Sequence, residues 1–305
     1  RNGPTVAAYR KAVDIMGSKA DVDIKLLAIP GIREPGITDF AISAVESRFD
    51  ALYLMDIEET NNAGVVLTGS GVVSVKKTVD NFKNRGLDSS FAAAYFPDVT
   101  KTVLTTTIGR NNSIEENLIT VPPSVVALGA FSFNDAVAHP WFAPAGFTRG
   151  ALEAVESAAI RFNRNNLDDV YDADINPLTA FPGTGVVIWG QKTLLQNSSA
   201  LDRVNVRRLL IDIRRSVRNV ANTLLFEPNR QETLDRFNSL VNPILQRVQE
   251  QGGVDRYKVI IDTTTTTQAD VENNTIRGKI FLQPTRAVEF VALDFVVTNA
   301  GAEGL

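Results

Sequence analysis

The chain has no cysteine and a single histidine, His139. The first absence removes a disulfide framework, a thiolate-held zinc or iron–sulfur site and a thiol nucleophile. The second removes multi-histidine metal sites within the chain and leaves His139 as the sole imidazole for a Ser-His-Asp arrangement. Excess positive charge is also missing. The 31 Lys and Arg stand against 35 Asp and Glu, a formal net charge of −4, whereas a dedicated nucleic-acid binder carries a basic surplus. No apolar run approaches the ~18 residues of a membrane span, and no secretory leader pattern is visible. The repertoire for catalysis is thin before any motif is read.

What remains is ordinary globular material: 305 residues, 44% hydrophobic and 22% charged. That length corresponds to about two domains with real cores. The chain opens Arg1-Asn2-Gly3-Pro4 rather than with Met, and is expected to be a fragment or processed chain with further sequence upstream.

The first half alternates helical and extended patterns. Helices are expected over Pro4–Met16, Asp39–Phe49 and residues 72–84, where Val72, Val75, Val79 and Phe82 share a face. Another is expected from Pro122 to Val137, with Thr120 as a cap. Short apolar runs at Ile24–Ile29, Ala51–Ile57 and Phe91–Phe96 read as strands. Apolar strands separated by amphipathic helices imply crossover units and a buried, mainly parallel sheet flanked by helices. The fold class is thus α/β in the first half and α+β overall.

In the second half, Ala151–Phe162 reads as an amphipathic helix. Val204–Leu225 carries the strongest apolar stripe in the chain: Val206, Leu210, Ile213, Val217, Val220 and Leu224. Pro228 stops it. Asn229 and Glu232 have capping-box spacing for the next helix, which Pro243 should kink and Gly252-Gly253 should end. Strands are expected at Tyr257–Asp262, Thr275–Gln283 and Ala287–Thr298. The domain boundary is placed near residue 165: a middle α/β domain over 1–165, and a C-terminal α+β domain over 166–305 with two long helices, a small sheet and a terminal strand or arm over 287–305.

Three features invite an enzymatic reading. Gly69-Ser70-Gly71 and Gly183-Thr184-Gly185 are glycine-rich, but neither completes a dinucleotide fingerprint or a phosphate-cradling loop, so tight turns are expected. The acidic run Asp168, Asp169, Asp172 and Asp174 lacks the glycine and distal glutamate of an EF-hand. It is expected to be a solvated loop or an intersubunit acidic patch. His139 has no GxSxG partner and should simply pack against Trp141 and Phe142. No catalytic residue, metal site or cofactor is expected. The alternative is an α/β small-molecule enzyme or nucleotide-binding protein, whose site would need a polar pocket around Asp56, Glu58 or the Gly31 loop at the carboxyl edge of the sheet.

The arginines say more. Arg203, Arg207, Arg214 and Arg218 repeat at spacings of 4, 7 and 4, widened by Arg208 and Arg215, with Asp212 the only acid among them. Such density suggests bidentate contacts to an acidic partner. Nucleic acid would also fit the pattern, but the acidic whole-chain balance argues against it. From Ala287 onward both strand faces are largely apolar, which suits a central strand or one added to a neighbour's open edge.

The second half resembles the tail sheath proteins of contractile bacteriophage tails and related injection machines. The resemblance is carried by Val121-Pro-Pro-Ser124, Ala143-Pro-Ala-Gly146, Ile175-Asn-Pro-Leu178, the stretch from Phe181 to Leu194, Val204–Leu210, Phe226-Glu-Pro-Asn229 and Ala287–Val291, in that order. Gly146 stands where many members have Asn. The first half fits more by architecture than by motif. The resemblance implies a structural subunit without catalysis, polymerised helically around a tail tube and contracting to drive that tube through a cell envelope. The implied partners are other sheath subunits, the tail tube protein, and baseplate and tail terminator proteins, without nucleic acid or direct membrane insertion. The implied location is the virion tail, assembled in the host bacterial cytoplasm. The implied strand-exchange residues are Ala287, Glu289, Val291, Leu293 and Phe295. The implied tube or subunit contacts are Arg203, Arg207, Arg214 and Arg218 on one helix, or Arg230, Arg236 and Arg247 on the next.

Overall fold

The computed structural model describes residues 3–289 except 20, 70, 108–112, 229, 263–264 and 274. Its centre is a five-stranded sheet of order β1-β2-β3-β7-β8: β1 (Leu26–Ala28), β2 (Leu52–Asp56), β3 (Ala92–Phe96), β7 (Ile175–Phe181) and β8 (Gly185–Ile188). The first four are parallel to one another and β8 returns antiparallel. Burial on both faces explains the unbroken apolar runs. Tyr53 and Met55 of β2, with Ala92, Ala94 and Phe96 of β3, enter one core, while Leu52, Leu54, Ala93 and Tyr95 enter the other.

The first core is covered by α2 (Pro35–Arg48) and α3 (Val75–Asn84), through Ala41, Ile42 and Val45 and through Val75, Val79 and Phe82. Packed beside α2 is α1 (Val6–Gly17), whose Thr5 Oγ accepts from the Ala8 amide as a side-chain N-cap. The opposite core is covered by α4 (Pro123–Val137), which presents Ala127, Ala130 and Phe131, and by the start of α7 (Val204–Asn222). The rest of α7 joins α8 (Gln231–Glu250) in a third core of Leu209, Ile213, Val241, Leu245 and Val248, roofed by Trp141. An antiparallel ribbon of β9 (Val254–Ile260) and β10 (Lys279–Pro284) packs against it, and α9 (Gln268–Glu272) lies between its two strands in sequence. Among the described residues, no helix is long and apolar enough to cross a membrane.

Several expectations shift. The stretch Ala151–Phe162 is not a helix. Leu152 N bonds Val186 O, Glu156 N bonds Thr100 O and Ala159 N bonds Asp98 O. Its backbone therefore serves neighbouring strands, with β6 (Ser157–Ala158) pairing on β4 (Val99–Thr107). The β4 strand and β5 (Ser113–Val121) form a hairpin that the sequence reading did not anticipate. Thr120 lies in β5 opposite Thr100, and the N-cap position of α4 is Pro122. The N-cap position of α8 is Arg230, without a side-chain cap, and α8 continues through Pro243; Asn229 lies outside the described residues. Short α5 (Gly146–Arg149) follows the Ala143-Pro-Ala turn, and α6 (Arg164–Tyr171) precedes β7. The central sheet runs past residue 165 to Ile188, because β7 pairs with β3 and β8 closes the hairpin. Residues 285–289 are not a strand, and Val291, Leu293 and Phe295 lie outside the described residues.

Candidate functional site

The carboxyl edge of the sheet is where an open α/β fold would hold a ligand. Here it is filled by the chain itself. Asp56, 1% exposed at the end of β2, accepts from Ser124 N at 2.7 Å, Ser124 Oγ at 2.8 Å and Gly31 N at 2.8 Å. Its carboxylate thus caps the start of α4 from across the fold, which explains why no local side chain does so. Alongside, Arg33 pairs with Glu59 at 3.4 Å and with Asp98. Burial raises Asp56, Glu58, Glu59 and Asp98 above the usual carboxylate range, against the pull of their hydrogen bonds and neighbouring arginines. Of the residues expected to mark a pocket here, Asp56 and the Gly31 loop meet, but Ser124 closes the space between them. Among the described residues, no group of His, Asp and Glu could hold a metal ion. His139 stacks on Trp141 at 4.7 Å between ring centroids, with Phe142 at 6.1 Å.

Of the two glycine pieces, Gly183-Thr184-Gly185 forms a turn, while Gly69 lies in a bend and residue 70 is outside the described residues. Gly183, in the turn after β7, and Gly185, the first residue of β8, both take positive φ, a conformation glycine adopts without steric cost. Gly146 also has positive φ, which Asn tolerates too.

The α7 arginines mostly turn toward their own fold. Arg207 is 8% exposed; its guanidinium lies 3.9 Å from the Phe91 ring centroid and donates to Ser90 Oγ. Desolvation, then repulsion by Arg214, lowers its pKa to about 10. Arg208, 4% exposed, pairs with Asp135 at 2.5 Å and covers Phe131. Arg215 pairs with Asp23, and Arg218 reaches Asp50 at 3.7 Å. Arg214 is exposed and stacks over Phe49. On α8, Arg230, Arg236 and Arg247 are all exposed, with Arg236 held loosely at 3.5 Å by Glu227.

The terminal segment is anchored at its root. Glu289 accepts from Arg203 Nε at 2.7 Å, Tyr171 Oη at 3.0 Å and Gln191 Nε2 at 3.2 Å. Burial and the Glu289 charge push Tyr171 up to about 12. The segment borders a cavity of about 280 Å³ whose walls include Gly146, Tyr171, Trp189 and Gln191. Ala287 and Val288 are exposed. Beside the cavity, Trp189 meets Phe147 and Phe181 at 5.0 and 4.7 Å, and Phe147 and Trp189 are 51% and 40% exposed. The sequence reading did not single out this aromatic group, because its members lie 34 and 8 residues apart.

The acidic run is split. Asp168 and Asp169 are exposed on α6 rather than in a loop, and Asp172 is its exposed C-cap. Asp174 sits at positive φ and is held by Lys192 at 3.0 Å.

Comparison with known proteins covers nearly the whole chain. A sequence model described as the phage tail sheath protein central domain matches residues 2–194, and one described as the phage tail sheath C-terminal domain matches residues 196–298. The tail sheath protein of Vibrio phage KVP40 is 34% identical over 183 residues, 60% of this chain and 27% of that protein. The tail sheath protein of Enterobacteria phage T4 is 33% identical over 183 residues, 60% of this chain and 28% of that protein. The chain therefore spans little more than a quarter of the length of these relatives. Among solved structures, a chain of the anti-feeding prophage baseplate in the contracted state superposes with a TM-score of 0.73 at 25% identity, covering 95% of this chain and 76% of that one. A chain of an extracellular contractile injection system sheath, also contracted, gives 0.71 at 24% identity, covering 90% and 71%; at that identity the likeness speaks for the fold.

Proposed function

The chain belongs to the phage tail sheath family, and from that premise we propose that it is the central and C-terminal part of a sheath subunit that polymerises helically around a tail tube and contracts to drive the tube through a target envelope. The observation that carries this reading is that the two sheath-domain models tile the chain in order, from residue 2 to residue 298. The role is structural rather than catalytic. Contraction then requires no nucleotide: rigid subunits relax from a metastable array into one with more mutual contacts. The partners are other copies of the subunit and the tube, with baseplate and terminator proteins at the ends. The location is the virion tail, after assembly in the host bacterial cytoplasm.

The residues from Ala287 onward form the exchanged arm, with Glu289 at its anchored root and Val291, Leu293 and Phe295 within the exchanged part. For the tube-facing surface, burial and internal pairing of Arg207, Arg208 and Arg215 favour the exposed α8 set of Arg230, Arg236 and Arg247. The exposed carboxylates Asp168, Asp169 and Asp172 suit a contact between subunits.

Negative-stain microscopy of the full-length protein mixed with its tube protein tests the reading. Striated tubes of sheath diameter are expected. Persistent monomers under assembly conditions would overturn it.

A further inference from the structure

The turn after α7 displays an unusual knob. Phe226 is fully exposed, at 105% relative accessibility, and its φ is 70°. A bulky aromatic residue in the left-handed region costs free energy and persists where surroundings or function demand it. Leu225 beside it is 63% exposed, and Glu227 offers a half-exposed carboxylate. Two apolar side chains and an acid are thus held out together.

Between α7 and β10 lies a hollow of the opposite character. Its volume is about 490 Å³, and its walls include Phe49, Ile213, Val217 and Ile280 together with Arg207 and Arg214. Arg207 is more than nine-tenths buried and its Nε has no hydrogen-bond partner. Among the described residues, no carboxylate lies within ion-pair distance of either arginine. A buried cation without a counter-ion is costly, and this one lines an open apolar hollow.

We propose that this hollow receives the Leu225–Glu227 turn of a second copy of the chain, with Phe226 in the apolar part and the Glu227 carboxylate on Arg207 and Arg214. The proposal rests on the reading of the chain as a self-assembling subunit. Shape and charge are complementary: ring to apolar wall, acid to unpaired cations. Phe226 is fully exposed, so the turn does not fill the hollow of the chain that carries it. The turn lies beyond the end of α7 at Asn222, whereas the hollow is walled by the middle of that helix together with Phe49 and β10. Because knob and hollow are different surfaces, one-way insertion from copy to copy is a heterologous contact, the kind that builds a helical array where the rotation does not close.

The absence of native cysteine makes cross-linking a clean test. Phe226→Cys and Val217→Cys variants, tagged to differ in mass, are mixed under the assembly conditions and oxidised. Heterodimers joining 226 to 217 are expected to dominate. Links only between two copies of 226, or no link, would overturn the proposal. So would an Asp294→Cys variant that captures 217 in place of 226, since the terminal segment would then be the occupant. A second arm uses charge reversal at two exposed sites. Glu227→Lys should weaken self-association by about tenfold, the scale of one close charge pair, and mixing with Arg214→Glu copies should restore it. Tubes that form normally from Glu227→Lys without any 226–217 link would sink this contact while leaving the sheath reading intact. Failure of the unaltered full-length protein to form tubes with its tube partner would sink the sheath reading, and the cross-link would still report on the contact.

Discussion

Glu289 accepts a 2.7 Å hydrogen bond from Arg203 Nε, across 86 residues of sequence. Arg203 is the N-cap residue of α7, and Asp202 holds it from the other side at 3.2 Å. The last described residue is therefore tied to the N-cap of α7, one of the two long helices that build the third core. The tie is partly shielded, with side-chain exposures of 27% and 20%, so it keeps more of its strength than a free surface pair. A segment that leaves the domain from this point has a fixed origin whatever it contacts beyond.

Breaking that tie should loosen the segment without unfolding the domain. No Lys or Arg follows Arg286, so tryptic cleavage after Arg286 reports on opening at the root. Glu289→Ala is expected to speed that cleavage by about tenfold, corresponding to loss of a charge-assisted hydrogen-bond set of about 1.5 kcal/mol, while the urea midpoint of the domain stays in place. An unchanged cleavage rate would show that the anchor lies elsewhere.

Asp56 predicts the opposite pattern, a large global effect from one residue. Replacing it with Ala strands two amides and a hydroxyl that are buried at the start of α4 and in the Gly31 loop. The expected cost is about 2–4 kcal/mol, read as a drop in the urea midpoint at unchanged slope. A loss below about 0.5 kcal/mol would mean that water replaces the carboxylate and that the edge is less closed than the geometry indicates.

This site also marks the limit of what the sequence discloses. The strands at Leu26, Leu52 and Ala92 were legible because burial on both faces leaves no polar residue to interrupt them. The α7 stripe was legible because its apolar positions recur at the helical period. The partnership of Asp56 with Ser124 spans 68 residues and follows no period, so only the fold brings it into view. The arginines of α7 misdirect for a related reason. Spacing places them on a flank of the helix, but spacing cannot show that Phe91, Phe131 and Asp135 arrive there to cover Arg207 and Arg208. Ala151–Phe162 had a helix-like rhythm, yet the open bonding positions on β4 and β8 captured its backbone.

The carboxylates around Arg33 predict a pH dependence. Burial raises Asp56, Glu59 and Asp98 in the folded chain, above unfolded values near ~4. Between those values the folded state binds more protons than the unfolded one, so their contribution to stability is full below about pH 4 and falls as pH rises through the raised values. Glu59, whose Oε1 is buried without a partner, should dominate the removable part. Glu59→Gln is expected to flatten the decline in unfolding free energy from about pH 4.5 to neutrality, measured by urea titration at stepped pH. Identical pH profiles for both proteins would assign the dependence to other groups.

The two arginine sets separate by where their loss is felt. Arg208 is buried, pairs with Asp135 at 2.5 Å and covers the Phe131 ring. Truncating it to Ala leaves a cavity over that ring and removes the ion-pair partner of a half-shielded acid, so the monomer should lose about 2–4 kcal/mol. Arg230, Arg236 and Arg247 are exposed and contribute little to the fold. Reversing all three to Glu should leave the urea midpoint within about 0.5 kcal/mol of the unaltered chain. Yet if α8 faces an acidic tube, the same triple variant should fail to sheathe tubes in low salt, with partial recovery when screening shortens the Debye length to about 8 Å. The two readouts together decide the matter. A triple variant that still sheathes tubes normally would move the tube contact off α8. One that unfolds as a monomer would show that these arginines support the C-terminal core instead of a partner.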